Sequence, residues 1–298
     1  MAVRKIEVRN AGLARKRERN PMNRHSLLIQ VLGLSLAVVA SGYSTARAQA
    51  NPEQAKAVAA IQEFGGTVTF DTKSPDKTVI GVTLRKSKAL NAGLTHVRSL
   101  ASLQSLDLRE SMVNDAGLEN LTGLAKLRSL ILDKTQVSDA GLEKLKTLTN
   151  LELLYLEAAD ITDTGVERLR AFFPNLHSLI LCYTKITDAG LAHLKGLRLT
   201  YLAMEGTQVT DAGLEHLKGL TDLTKLDLIG VRAVTDAGLE HLKGLANLQT
   251  LYLRGTKVTE AGVEHLKALP NLRMLDIGLR DATAMEKIRQ ALPKCKVR

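Results

Sequence analysis

Apolar and polar residues alternate over short segments that return after about two dozen residues along most of the chain. In each segment two apolar residues flank one variable residue, which is typical of a β-strand with one buried face. The apolar pairs are Val82/Leu84, Leu106/Leu108, Leu130/Leu132, Leu154/Leu156, Leu179/Leu181, Leu202/Met204, Leu226/Leu228, Leu251/Leu253 and Leu275/Ile277. The pattern therefore predicts nine short strands.

A second phrase, related to Asp-Ala-Gly-Leu, follows these strands with a spacing of 23 to 25 residues. Its glycines are Gly93, Gly117, Gly141, Gly165, Gly190, Gly213, Gly238 and Gly262. Thr187, Thr210 and Thr235 each precede an Asp of the phrase, where a hydroxyl can cap a short helix. We expect the glycine to recur because adjacent helical segments pack too closely there for a side chain. Such repetition predicts a solenoid, in which each unit buries its apolar face against its neighbours.

The unit from Leu248 to Leu266, with its x-Thr-x-[Val/Ile]-Thr-Asp-x-Gly-Leu phrase, resembles the leucine-rich repeat family. Within the family it looks most like the cysteine-containing repeats of F-box proteins and the secreted repeat proteins of certain bacteria. The Cys that names this subclass occurs here at Cys182. The resemblance implies an α/β leucine-rich repeat solenoid over residues 79–280, with about nine repeats of about 24 residues. It would be curved, with parallel strands on the concave face and short helices on the convex face.

The segments outside the repeats are predicted to form a leader and two caps. Residues 1–50 combine a basic N-terminal extension, an apolar run from Leu27 to Ala40 and small residues at their end, which predicts a secretory signal peptide. Residues 51–78 predict an N-terminal cap of one helix and a hairpin strand, and residues 281–298 predict a capping helix and tail. We expect a bacterial protein that is secreted or held in the periplasm or cell envelope. It would meet the membrane only through the transient leader.

The net charge of +10 is concentrated in the leader. Residues 1–50 carry nine Lys/Arg and two Asp/Glu, a net of +7, so the remaining 32 basic and 29 acidic residues leave +3. A nearly balanced body gives little reason to bind a phosphate backbone. We therefore expect no nucleic-acid partner.

The sequence contains no recognisable catalytic, phosphate-binding or paired-cysteine metal motif. Five histidines share one slot in their repeats: His96, His193, His216, His241 and His265. Neighbouring helices lie about 8–10 Å apart, whereas zinc–nitrogen bonds are about 2.1 Å long, so one ion is not readily shared along this row. Cys182 and Cys295 are about four repeats apart, too far for a disulfide. We expect no enzymatic activity, no cofactor and no metal site.

Strand positions that point away from the leucine core predict a binding surface. The candidate ligand-binding residues are Ile131, Asp133, Tyr155, Glu157, Ile180, Tyr183, Tyr201, Glu205 and Tyr252. Exposed aromatic residues grouped with charges are typical of interface centres. We expect the tyrosines and Ile180 to provide affinity, while Glu157 and Glu205 select a basic partner. The predicted function is non-enzymatic recognition of a protein or peptide on the concave strand face.

Two other functions fit the same pattern. The F-box resemblance implies a substrate receptor of a ubiquitin ligase, which requires an adaptor-binding domain before the repeats and contact with cytosolic machinery. A structural protein of the cell envelope without a discrete ligand is the third possibility. The location of the mature chain separates them, because cytosol favours the receptor and insoluble wall material favours the structural role.

Overall fold

Eleven short strands form one sheet in which the spatial order follows the order in the chain. The computed structural model describes residues 51–86 and 91–298, and the predicted signal peptide lies outside them. The strands are β1 (Thr67–Phe70), β2 (Val79–Thr83), β3 (Ser105–Asp107), β4 (Ser129–Ile131), β5 (Leu153–Tyr155), β6 (Ser178–Ile180), β7 (Tyr201–Ala203), β8 (Lys225–Asp227), β9 (Thr250–Tyr252), β10 (Met274–Asp276) and β11 (Lys296–Val297). β1 pairs antiparallel with β2, and the later neighbours pair in parallel.

Short helices connect successive parallel strands. The α-helices are α1 (Pro52–Glu63), α2 (Asn91–Val97), α3 (Asp115–Leu118), α4 (Asp139–Lys144), α5 (Asp163–Glu167), α6 (Leu169–Phe172), α7 (Asp188–His193), α8 (Asp211–Leu214), α9 (Val263–Leu266) and α10 (Ala282–Ala291). The 3₁₀ turns are Glu119–Leu121, Glu215–Gly219 and Ala237–Leu242. In the described ranges, no helix has the length and apolar character needed to cross a membrane.

The leucines of strands and helices form one continuous core beneath the sheet. Leu154 pairs in register with Leu130 on one side and Leu179 on the other, and all three are 0% exposed. Fully burying one leucine side chain contributes roughly 1.5–3 kcal/mol. Because each unit buries its leucines mainly against adjacent units, stability grows by stacking.

A ladder of aspartates joins each helix start to the following repeat. Asp188 Oδ1 accepts a hydrogen bond from the backbone N of Thr210 at 2.7 Å, and Asp188 Oδ2 accepts one from the Thr210 hydroxyl at 2.6 Å. The Thr210 hydroxyl in turn caps α8 by accepting from the Ala212 N–H at 3.3 Å. The same carboxylate contact occurs in Asp115–Ser138, Asp139–Thr162, Asp163–Thr187, Asp211–Thr235 and Asp236–Thr259.

The recurring glycine lies directly against this aspartate. A Cβ atom on Gly213 would stand 2.2 Å from Asp188 Oδ1, and one on Gly165 would stand 2.2 Å from Asp139 Oδ1. Both distances are far below van der Waals contact. The predicted close packing at the glycine is confirmed, and the group that excludes a side chain is the carboxylate of the preceding repeat.

Both ends of the core are covered by elements outside the regular pattern. At the N-terminal end, Gln54 of α1 accepts a hydrogen bond from the Val79 N–H at 2.8 Å, which ties the helix to β2. At the other end, Asp281 caps α10 by accepting hydrogen bonds from two backbone N–H groups, and the helix buries Met285 and Ile288. The last strand, β11, lies beside β10 and was not predicted from the sequence.

Candidate functional site on the strand face

The strand face is the sheet surface opposite the leucine core, and the parallel register arranges its side chains in rows. The central row contains Thr83, Asp107, Ile131, Tyr155, Ile180, Ala203, Asp227, Tyr252 and Asp276. The row two residues earlier contains Ser105, Ser129, Leu153, Ser178, Tyr201, Lys225, Thr250 and Met274. The row two residues later contains Arg85, Arg109, Asp133, Glu157, Cys182, Glu205, Ile229, Arg254 and Gly278. Neighbours in a row are separated by about 4.8 Å, so their side chains contact one another.

The prediction that the candidate binding residues of this face are exposed is wrong for five of the nine. Tyr155 is 1% exposed, Tyr201 is 4% exposed and Ile180 is 0% exposed, and both Ile131 and Asp133 are also buried. The cause is the register, since adjacent strands place Ile131 and Ile180 on either side of Tyr155. Each large side chain in the row therefore covers the next. These residues form the floor of the strand face and offer little area to a partner.

The hydroxyl group of Tyr155 is buried and has no hydrogen-bond partner in the described part of the chain. The Ser178 hydroxyl lies close enough to lower the pKa of Tyr155, but it is likewise buried, and the two hydroxyls form no hydrogen bond of normal geometry. Burial raises the pKa of Tyr155 to about 12, and the charge of Asp133 acts in the same direction. The phenol is therefore neutral at physiological pH and sits in the floor as an unsatisfied polar group.

Replacing Tyr155 by Phe is expected to leave the free energy of unfolding unchanged or to raise it by about 1 kcal/mol, because a buried hydroxyl without a partner carries a desolvation cost. Urea denaturation of the wild type and of Tyr155→Phe measures the difference. A loss of stability in the variant would contradict this expectation, since it would show that the hydroxyl makes a favourable bond.

Asp133 is a buried carboxyl group in the strand-face row that lies two residues after the central row. Its Oδ1 accepts a hydrogen bond from the backbone N of Glu157 at 3.0 Å. Burial raises the pKa of Asp133 to about 7, and the charges of Glu157 and Asp107 add to the rise. The hydrogen bond from Glu157 and the charge of Arg109 oppose it. The strand face thus contains a carboxyl group that titrates near neutral pH.

Arginines toward both ends of the strand face are bound to buried aspartates. Asp107 accepts from Arg85 Nε at 2.7 Å and from Arg109 Nε at 3.0 Å. Asp276 accepts from Arg254 Nη2 at 3.0 Å. Buried carboxylates require such partners because an uncompensated buried charge is strongly destabilising. The arginines therefore balance the charge of the floor.

Lys225 is a strand-face residue that the sequence reasoning missed. Its Nζ lies 4.3 Å from the ring centroid of Tyr201 and 5.3 Å from that of Tyr252, which are distances of a cation–π contact. Tyr252 is half-buried. The repeat could have identified this residue, because Lys225 occupies the same position as Tyr201 in the next unit. The ammonium group holds the two rings in place.

Tyr183 carries an exposed aromatic ring at the edge of the strand face. The residue is 47% exposed, and its hydroxyl donates a hydrogen bond to the Glu205 carboxylate. A Cβ atom on Gly206 would lie 2.6 Å from the ring atom Cδ1, so the ring rests on this glycine. Among the predicted binding tyrosines, Tyr183 thus has the most accessible ring.

Tyr183 occupies a turn slot that has left-handed backbone conformation after each strand. From β2 to β9 the slot contains Lys86, Glu110, Lys134, Ala158, Tyr183, Gly206, Gly230 and Gly255, with φ between 53° and 78°. A side chain in this region costs roughly 1–2 kcal/mol, whereas glycine adopts it readily. The next three units use glycine in this slot, whereas Tyr183 adopts a backbone conformation that is unfavourable for a residue with a side chain.

The described residues contain no group of three His, Cys, Asp or Glu side chains that could share a metal ion. In the predicted histidine row, His96, His193 and His216 are exposed, while His241 and His265 are half-buried. Cys182 and Cys295 are free thiols, and burial raises the pKa of each. Both thiols are therefore protonated and weakly nucleophilic at neutral pH.

A groove of about 810 Å³ lies along the helices, around α4 and α5. Its charged side chains pair with one another, as in Lys144 with Glu119 at 2.7 Å and Arg168 with Glu143. Exposed pairs of this kind contribute little to stability. The lining has four basic and three acidic side chains, so the groove carries little net charge and does not strongly select a ligand of one sign.

No protein-family model matches the chain, and no curated protein matches it. Among solved structures, the chain is similar to internalin C2 from Listeria monocytogenes strain 4b F2365. The TM-score is 0.55 and the identity 25%, and the match covers 75% of this chain and 92% of that chain. The open, mostly parallel sheet with short helices confirms the predicted leucine-rich repeat solenoid. The similarity supports leucine-rich repeats in general and does not extend to the F-box-type subclass.

Proposed function

We propose that this protein is an exported, non-enzymatic module that recognises a protein or a peptide through its strand face. The observation that carries the proposal is the accessible part of that face: at its edge Tyr183 is exposed and Glu157 and Glu205 are half-buried, and in its central row Tyr252 is half-buried. Aromatic and charged groups of this kind provide binding energy when a partner desolvates them. A solenoid supports such a role because it presents an extended surface instead of an enclosed pocket.

The other predicted binding residues would act from beneath this surface. Ile131, Asp133, Tyr155, Ile180 and Tyr201 are buried, so they would contribute by fixing the positions of the side chains above and beside them. Rigid support of this kind lowers the entropy cost of binding. The proposal therefore assigns direct contact to four residues and support to five.

A strand-face double variant tests the proposal. Tyr183→Ser/Tyr252→Ser removes both accessible rings, and His193→Ser/His216→Ser on the helices is a control that removes two exposed rings elsewhere. The full chain and both variants are immobilised and exposed to an envelope extract of the source cells. We expect at least one protein to bind the wild type and the control, and to be retained at least about tenfold less by the strand-face variant, as for the loss of interface anchors.

Equal retention of every protein by the wild type and the strand-face variant would contradict the proposed binding face. Cell fractionation accompanies the experiment, because a chain found only in the cytosol would contradict export. Circular dichroism of the double variant confirms that it folds, so a loss of retention can be attributed to the missing rings.

A further inference from the structure

Two carboxylates flank an uncharged position at the edge of the strand face. Glu157, Cys182 and Glu205 follow one another on adjacent units, as shown by the bonds from Ala158 N to the Cys182 carbonyl and from Tyr183 N to the Glu205 carbonyl. Glu157 and Glu205 are thus two strand spacings apart, about 9–10 Å. Between them Cys182 is 0% exposed, and burial keeps the pKa of its thiol well above the ordinary value. The surface between the two carboxylates therefore carries no charge at neutral pH.

The ring of Tyr183 stands beside these carboxylates. Burial, the Glu205 carboxylate and the Glu157 charge all raise the pKa of Tyr183, so both charges act at its hydroxyl. An exposed aromatic face within a negative field attracts a cation through the ring quadrupole and through charge. The same surroundings repel an anion.

The cations of the protein itself do not neutralise this edge completely. Lys134 lies 3.4 Å from Glu157, but the hydrogen-bond donor to the Glu205 side chain is the neutral Tyr183 hydroxyl. Within the described ranges, Glu205 forms no ion pair. Lys225 is engaged with Tyr201 and Tyr252. The edge therefore retains negative charge next to an exposed ring.

We propose that Tyr183, Glu205 and Glu157 form a binding site for a lysine or arginine side chain of a partner peptide. The cationic group packs on the face of the Tyr183 ring and pairs with Glu205, while Glu157 adds attraction from the far side of Cys182. This inference rests on the proposed function and names the chemistry of the partner.

A short cationic peptide tests the site directly. The full chain is titrated at low ionic strength with a blocked pentalysine peptide, and with blocked pentaglutamate for comparison, by isothermal titration calorimetry. We expect pentalysine to bind and pentaglutamate not to bind. Tyr183→Gly and Glu205→Gln should each weaken pentalysine binding about fivefold or more, the size of one partly desolvated cation–π or ionic contact.

Matched variants control for backbone and charge. Ala158→Gly places glycine in the same turn slot one unit earlier, and Glu215→Gln removes one exposed carboxylate from the helices. Both should bind pentalysine within about twofold of the wild type, since Ala158→Gly retains Glu157, Tyr183 and Glu205, and Glu215 lies on the helices. Tyr183→Gly is expected to fold because the following units carry glycine in this slot, and Gln at position 205 can still accept from Tyr183.

Equal binding of pentalysine to all variants, or the absence of its binding, would overturn the proposed site. If Tyr183→Gly failed to fold, the pentalysine affinity of Glu205→Gln compared with that of Glu215→Gln would still test the site. If the strand-face variant loses an envelope partner but pentalysine does not bind the wild type, the cation site is contradicted and the proposed function is still supported. If the variants lose neither the envelope partner nor pentalysine binding, both the cation site and the proposed function are contradicted.

Discussion

Replacing Gly213 by Ala is expected to lower the free energy of unfolding by about 3 kcal/mol, although Ala is the better helix former by about 1 kcal/mol. The new Cβ would stand 2.2 Å from Asp188 Oδ1 and 2.8 Å from Asp188 Cγ, so the carboxylate must move. Moving it breaks both hydrogen bonds to Thr210. Hydrogen bonds to charged groups contribute about 1.5–3 kcal/mol each. Urea denaturation at neutral pH measures the loss.

A double-mutant cycle identifies the carboxylate as the cause. Asp188→Ala alone should cost about 2–4 kcal/mol through the same two hydrogen bonds. Once the carboxylate is absent, the tightest remaining contact is with the backbone Cα of residue 188 at 3.1 Å, so Gly213→Ala should cost about 1 kcal/mol and the double variant should be about 2 kcal/mol more stable than additivity requires. Gly219→Ala is the control, because its Cβ would meet only Lys195 Cγ at 4.0 Å. Additive losses would show that the glycine is required for another reason.

Asp133→Asn is expected to make the protein more stable above pH 7 and to change little near pH 4. The folded-state pKa of Asp133, about 7, lies above the unfolded value, so the native state binds the proton more tightly. The contribution of Asp133 to the free energy of unfolding is therefore most favourable at low pH. It becomes less favourable as the pH rises toward 7 and stays unfavourable above that pH. Asn cannot ionise, so it avoids the cost of a buried charge, which is about 1.4 kcal/mol per unit of pKa shift.

Denaturation of the wild type and of Asp133→Asn at pH 4, 6 and 8 measures this difference. We expect the difference in free energy of unfolding between Asp133→Asn and the wild type to increase by a few kcal/mol from the lowest to the highest pH, as linkage requires. Asp222→Asn removes one carboxylate at the surface and corrects for the change in net charge. The amide oxygen of the substituted side chain can still accept from the Glu157 N–H, so the turn is preserved. A gap that is constant with pH would contradict a raised pKa.

The outcome at the binding surface differed among residues that share one sequence pattern. Tyr155 and Tyr183 both point away from the leucine core, yet Tyr155 is 1% exposed and Tyr183 is 47% exposed. Tyr155 lies between Ile131 and Ile180 in the same row, while Tyr183 follows the strand and rests on a glycine. Alternation predicts which side of the sheet a residue faces. It does not predict how much its neighbours cover it.

The amino-acid sequence was sufficient to predict the repeat, the strand positions, the leucine core and the need for glycine in each Asp-Ala-Gly-Leu phrase. These features follow from local alternation and from spacing, which every unit repeats. The sequence did not predict which polar groups meet across units, and the structure shows these contacts, such as Asp188 with Thr210 and Lys225 with two tyrosines. The structure also shows which side chains of the strand face reach solvent. The physical reason is that adjacent strands are about 4.8 Å apart in space but about 24 residues apart in the chain, so burial depends on neighbours that local pattern does not describe.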